Sequence, residues 1–362
     1  MNENIKRIKS FLLELREQKD LYKSIAPEAL GRRYRRGKDG TDIVKDSSFL
    51  YIRSYEGDIG VRPFSGISAW LSPDIQISPI TNVGDFGTTL HAGHAYDVQV
   101  SLHNRGDITV PYPKVELFLT TPTLGFDTRF ADLIGLTQFP GLLLSGEHNS
   151  LHYTYQVPAG LEGHRCLFAR TYSFSPLDKP SDPFALEPTL DRHIAQKNLN
   201  FVAQNTEYQF NLIHLPNALE RIVFLPLSRE NVADLMLPSL LRYKFADLPR
   251  MGTRMEVRAG ENSKVRVKNG ARGVELYSEG DGWGIGEQAG LLKMLGGAVN
   301  GEEKRTLQAA YREMNKYLMC TPLAMKIPDL GLGKGQFAAL HLSNSNEVQG
   351  QMKGGITLIV MG

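Results

Sequence analysis

The sequence predicts a mainly β protein: two β-sandwich modules, an N-terminal amphipathic helix, and helices inserted in the second module. Three observations carry that prediction. Apolar and polar residues alternate with a period of two along several segments. Gly, Pro and Asn turns separate those segments. The length of 362 residues exceeds one typical sandwich and suits two or three domains. The expected division is an arm over 1–45, a first sandwich over 46–203 and a second β module over 204–362.

Each element follows from its residues. Residues 4–20 read as the amphipathic helix, because Ile5, Ile8, Leu12 and Leu15 recur at spacings of three and four with Phe11 beside them. A helix this short is marginal alone and is expected to dock on the body or on another chain. Arg32, Arg33, Tyr34, Arg35 and Arg36 lie in a basic segment without apolar period, which reads as a loop. Phe49–Arg53 has the composition of a strand. From about residue 74 the period becomes two: Tyr96, Val98, Val100 and Leu102 alternate with Asp97, Gln99 and Ser101. Asn104–Asp107 turns the chain, and Val115, Leu117 and Leu119 alternate again. Leu151–Val157 and Cys166–Tyr172 are further strand candidates.

The stretch from Pro176 to Pro188 holds four prolines and reads as an extended connector. Tyr208–Ile213 and Arg221–Pro226 then open the second module. In it, Leu235–Tyr243 is expected as a short helix, and Thr253–Val257 and Lys264–Val267 as strands. Residues 301–319 read as the clearest helix, with Leu307, Ala310, Tyr311, Met314 and Leu318 on one face. Gln336–Leu342 and Ile356–Val360 close the chain as strands.

Composition excludes several classes. Hydrophobic residues at 41% and charged residues at 22% exclude disorder of the whole chain. The net charge of +2 supplies no global field toward nucleic acid or acidic membrane. Residues 1–38 nevertheless hold eleven Lys or Arg against five Asp or Glu, about +6. Cys166 and Cys320 are too few for a disulfide framework. The N-terminal residues lack the continuous apolar core of a secretory signal, and no stretch reaches the length of a membrane span. Synthesis in the cytoplasm without a Sec signal is expected, with an exported or assembly-bound location left open.

Candidate chemistry is sparse. Asp281-Gly-Trp-Gly-Ile-Gly286 offers a Gly-rich loop, with Asp281, Trp283, Gly284 and Gly286 as possible pocket residues. Its Gly-x-Gly-x-x-Ala pattern lacks the acid-tipped second strand that a dinucleotide fold requires. Gly331–Gly335 resembles a phosphate loop but has Gly335 where Ser or Thr must bind magnesium. His91, His94 and His103, like His148, His152 and His164, have no Cys or carboxylate at ligand spacing. The expectation is therefore no cofactor and no metal. Cys166, at the start of an apolar strand, reads as a buried structural thiol. The cluster Arg32–Arg36 is too small in a near-neutral chain for nucleic acid to be the favoured partner.

Asp58–Pro63, Trp70–Ile75, His91–Gly93 before the strand Tyr96–Leu102, and Asn104–Gly106 closing it resemble immunoglobulin-like modules of bacterial surface and secreted proteins, including the CARDB type linked to cell adhesion. The resemblance spans Asp58–Phe201, 144 of 362 residues, and Gly354–Val360 is similar to the last strand of such a module. It implies two Ig-like sandwiches and a non-enzymatic binding or structural role through protein–protein contacts, in a bacterial surface, secretion or phage-tail-like assembly. The partner, a protein or a second copy, is expected at Ile5, Ile8, Leu12, Leu15 and Arg32–Arg36. One alternative is an enzyme or toxin-like effector with its site in 205–362. Another is carbohydrate binding through Trp70, Tyr96 and Tyr112.

Overall fold

The computed structural model describes residues 43–362 except 65–66, 82–86, 126, 181, 234, 236, 249–254, 262, 271–272, 279–305, 307–308, 311 and 347–350. The protein is mainly β, in several sheets. The N-terminal half contributes β1 (Leu50–Tyr51), β2 (Ile75–Pro79), β3 (Thr89–Leu90), β4 (Ala95–Asn104), β5 (Val110–Pro111), β6 (Lys114–Thr120) and β7 (Thr123–Leu124). There follow β8 (Asp132–Gln138), β9 (Leu142–Leu143), β10 (Glu147–Gln156), β11 (Gly163–His164), β12 (Cys166–Tyr172), β13 (Ile194–Lys197) and β14 (Leu199–Ala203). The C-terminal half contributes β15 (Glu207–His214), β16 (Ala218–Pro226), a short helix α1 (Arg229–Ala233) and β17 (Lys244–Phe245). It continues with β18 (Glu256–Ala259), β19 (Val265–Gly270), β20 (Gly273–Ser278), β21 (Met319–Lys326), β22 (Gln336–Asn346) and β23 (Gln351–Met361).

Four larger sheets organise these strands. Sheet A pairs β4 with β1 and β2 on one side and β10 on the other, and sheet B runs β13-β12-β6-β8. Their facing sides share one apolar cluster, including Val98, Val100 and Leu102 of β4 and Val115, Leu117 and Leu119 of β6. Alternation in β4 thus does what period-two burial requires. Sheet C runs β18-β21-β15-β7, and sheet D runs β14-β23-β22-β16-β20-β19 with β17 on β22. Phe210 and Leu212 of sheet C meet Ile222, Leu340, Leu342 and Leu358 of sheet D in the largest apolar cluster.

The halves are joined by strands as well as by side chains. β7 pairs in parallel with β15, and β14 pairs in parallel with β23, crossing the expected break at residue 204. Trp70 is fully buried in the joint. Its indole Nε1 donates to Thr357 Oγ1 at 3.0 Å, and its ring meets His341 edge-on at 5.2 Å. Gly355 lies beneath the ring, where an added Cβ would stand 2.4 Å from it. Only glycine admits the indole there.

Several expected elements are corrected. The predicted 301–319 helix has helical residues at Thr306 and from Ala309 to Asn315 among those described, and the chain enters strand β21 at Met319. Cys320 therefore lies within a strand rather than at a helix end. The short helix expected over Leu235–Tyr243 is a 3-10 turn, Pro238–Arg242, preceded by α1. The predicted strand Phe49–Arg53 shrinks to β1. The connector at Pro176–Pro188 includes a 3-10 turn, Pro176–Asp178. It is also packing material, because Pro183 accepts from Arg170 and Leu186 packs with Phe118 and Phe168 on the outer side of sheet B.

Candidate functional site

The sequence-predicted site residues Ile5, Ile8, Leu12, Leu15, Arg32, Arg33, Tyr34, Arg35 and Arg36 lie in residues 1–42, outside the described residues. Asp281, Trp283, Gly284 and Gly286 lie in 279–305, outside them too. The structure describes what these segments spring from: the stretch 43–72, which follows the arm, and the end of sheets C and D beside Ser278.

The stretch 43–72 has little regular structure, so its backbone needs partners other than a ladder. Three carboxylates supply them. Asp74 Oδ2 accepts from Arg53 N at 2.7 Å and lies 2.8 Å from His103 Nε2, while Asp74 Oδ1 accepts from Arg53 Nε and Nη2 at 2.9 and 2.7 Å. Burial pushes the Asp74 carboxyl up, but the hydrogen bond and charge of His103 and those of Arg53 outweigh it, leaving its pKa lowered. Asp58 receives Ser54 N, Gly60 N and a two-pronged Arg62, whose Nε also donates to Pro188 O. Asp178, fully buried, accepts from Leu50 N at 2.9 Å and Ser173 Oγ at 3.0 Å.

His193 stands between Asp178 and Asp191. Its Nδ1 is 2.7 Å from Asp191 Oδ1 and its Nε2 is 3.9 Å from Asp178 Oδ1. Burial lowers the pKa of this imidazole, yet the charge and hydrogen bond of Asp191 and the nearby Asp178 carboxylate raise it beyond the ordinary value. The pKa of Asp178 is lowered: burial raises it, and His193, Ser48 and the Leu50 amide more than offset that. Arg192 completes the set by stacking over Phe49 at 4.1 Å. Chemically this is a tethering arrangement. Every carboxylate named is committed to backbone amides or to an adjacent cation.

A different polar group lies at the end of sheets C and D from which 279–305 departs. His214 Nδ1 is 2.8 Å from Leu215 O, and a carbonyl only accepts, so Nδ1 carries the proton. His214 Nε2 then accepts from Thr321 Oγ1 at 2.9 Å. Both ring nitrogens are engaged, which leaves no basic nitrogen to take a substrate proton. Ser278 Oγ donates to Pro216 O. Among the described residues, Asn344, fully buried in β22, has no hydrogen-bond partner for Nδ2 or Oδ1. A group that both donates and accepts would satisfy it.

The remaining candidates resolve individually. His91 and His94 stand 5.5 Å apart, and His103 stacks on His148 at 5.2 Å. Among the described residues no three His, Cys, Asp or Glu side chains are grouped to hold a metal. Cys166 is fully buried, its thiol pushed up by burial, and accepts from Gln196 Nε2. Trp70 and Tyr96 are buried and have no face to offer a sugar, while Tyr112 is half-buried. Among the described residues no helix is long and apolar enough to cross a membrane.

Sequence reasoning missed Asp58, Asp74, Asp178, Asp191 and His193. Asp178 and Leu50 are 128 residues apart, and no local spacing announces such a pair.

No family model matches the chain, and no curated protein matches it. Solved structures similar to parts of it include the following two. The beta-glucosidase from Listeria innocua in complex with gluconolactone is 14% identical with a TM-score of 0.18, covering 41% of this chain. The chain spans only 22% of that enzyme. The CARDB domain of a Pyrococcus furiosus protein, in complex with di-metal ions, is 14% identical with a TM-score of 0.23, covering 39% of this chain and 95% of that domain.

Proposed function

We propose that this chain is a non-enzymatic binding or structural protein, in which an amphipathic N-terminal arm docks a protein partner or a second copy and the β body serves as its rigid mount. In this reading sheets A and B form an Ig-like sandwich of the CARDB type, sheets C and D form a second sandwich, and the whole works within a surface, secretion or phage-tail-like assembly. The chain acts as part of that assembly.

The observation that carries the reading is the anchoring of 43–72. Leu50, Arg53 and Ser54 are each held through a backbone amide by a buried carboxylate, Asp178, Asp74 and Asp58 respectively. A root fixed at three points transmits load from an arm to a body, whereas a dispensable tail needs no such fixing. The ionisable groups there are spent on this fixing.

The test uses the full chain with Ile8→Ser and Leu12→Ser, which break the apolar stripe of the arm without touching the body. Tagged wild-type and variant chains are recovered from the native cell, and their assembled mass is measured by light scattering. The expected outcome is that the variant keeps its fold and loses the arm-dependent partner. A variant that retains the same partner and mass as wild type refutes the reading.

A further inference from the structure

The edges of the four sheets differ in how they are closed. A sheet edge offers unpaired N–H and C=O groups to any extended chain, and folds blunt it with bulges, proline, charge, shortness or cover. In sheet D, β14 is covered by Thr88, whose N and Oγ1 both donate to Leu199 O, and β19 carries Arg266 and Lys268 on its exposed side. In sheet B, Ser72 N donates to Gln196 O along β13, and β8 is bulged opposite Leu117/Phe118. The end strands of sheet C have two and four residues.

Among the described residues, β10 lacks bulge, proline, shortness and strand cover, and its one carboxylate, Glu147, stands at its first position. It is ten residues long, its register with β4 is unbroken, and it contains no Pro, Lys or Arg. At ~3.4 Å per residue it presents about 34 Å of edge. Among the described residues, no backbone group outside β4 hydrogen-bonds to the backbone of His148–Gln156, and Ser150 N is held by Asn149 Oδ1 of the same strand. The neighbouring strand of sheet B touches it through a side chain: Tyr153 OH donates to Ile134 O at 2.8 Å, and its ring lies against Gly135.

We propose that β10 pairs antiparallel with β10 of a second copy of this chain, about a two-fold axis at His152, so that two copies of sheet A become one continuous sheet. A two-fold perpendicular to the sheet keeps core side on core side, and the second copy supplies a strand of equal length and alternation. With His152 on the axis, Leu151 faces Tyr153 twice on the core side. On the solvent side Ser150 faces Thr154, and His148 faces Gln156. Leu151 meets Tyr153, hydroxyl meets hydroxyl at Ser150 and Thr154, Asn149 meets Tyr155, and no like-charged carboxylates or ammonium groups oppose each other. Each His152 keeps Asp97 Oδ2 at 2.8 Å as its own partner. This pairing is tested at residues other than those of the arm.

Light scattering of the full-length chain over a concentration series tests it. A concentration-dependent dimer is expected, with amide exchange of 148–156 slowing as it forms. His152→Lys sets lysine against lysine on the axis while retaining Asp97, and weakens the dimer about tenfold. His152→Cys forms a disulfide-linked dimer under oxidation, and Gln209→Cys, on the exposed face of β15, does not. The Ile8→Ser, Leu12→Ser chain still forms this dimer, so its loss and the loss of arm docking are read separately. A chain monomeric at every concentration, or a dimer indifferent to His152→Lys and not linked through His152→Cys, overturns the proposal.

Discussion

The two halves of the molecule solve the same burial problem with different chemistry. In the N-terminal half Asp58, Asp74, Lys114, Glu116, Asp127, Arg170, Asp178, Asp182 and Asp191 are all buried. Past residue 204, Glu220 is the one Asp, Glu, Lys or Arg that is buried among the described residues. The difference follows from what each half must cover. Sheet B is packed on both sides, so β6 and β12 are buried at every position, and irregular segments lie across the outer side. Irregular backbone brings unsatisfied amides, and carboxylates with their cations satisfy them. Sheets C and D instead close on a long apolar interior. One half gets its uniqueness from pairing and the other from packing.

The sharpest way to break this contrast is Arg170→Ala. Arg170 Nε and Nη2 both lie 2.8 Å from Glu116 Oε2, which also accepts from Tyr172. Removing the guanidinium leaves a buried carboxylate unpaired, and a loss of about 4 kcal/mol is expected in urea unfolding. Arg170→Met with Glu116→Leu removes both charges at similar volume and restores most of it. If the single and double variants are equally destabilised, the loss lies in packing.

The counterpart in the other half is Leu340→Ala. Leu340 is fully buried in the largest apolar cluster, and the cavity costs about 3 kcal/mol. No second substitution of charge can rescue it. Dependence of that loss on pH would contradict a purely apolar origin.

Legibility divided along the same line. Strand β12 is read residue for residue from its sequence, and β4 from its alternation, where period two reports a single buried face. The alternation of Val115, Leu117 and Leu119 correctly marks their inner face, yet Lys114, Glu116 and Phe118 are buried as well. Nothing local in β6 tells that residues 173–193 will cover its outer side. The 301–319 stretch is helical at Thr306 and from Ala309 to Asn315 among the described residues, as its apolar spacing predicts, but its C-terminal bound is missed, because Met319–Lys326 pairs with β15 more than a hundred residues earlier. Asp178 and Asp74 were illegible because Leu50 and Arg53 lie on distant excursions of the chain, whereas Asp58 holds the nearby Ser54, Gly60 and Arg62.

Mild acid separates the halves by the sign of its effect. At the joint, Thr357 Oγ1 accepts from Trp70 Nε1 and so has its own proton for His341 Nδ1 at 2.9 Å. Burial holds the His341 imidazole down at about 4, from 6.5. An imidazole whose folded pKa is depressed contributes stability above its unfolded pKa and loses it as pH falls toward the folded one. Between pH 7 and 5.5 the joint is expected to lose about 1 kcal/mol. His193 works in the opposite direction. Its raised pKa gives stability that is full below its unfolded value of 6.5 and lost as pH rises through the folded one. Asp74 and Asp178, both lowered, lose theirs only as pH falls below the ordinary carboxylate range. Urea unfolding at a series of pH values, comparing wild type with His341→Gln and His193→Gln, reads these slopes. His341→Gln should flatten the loss on acidification, and His193→Gln should steepen it. Parallel curves for all three chains would mean that neither histidine is coupled to folding, and the contrast between a paired half and a packed half would then have to rest on Arg170 and Leu340 alone.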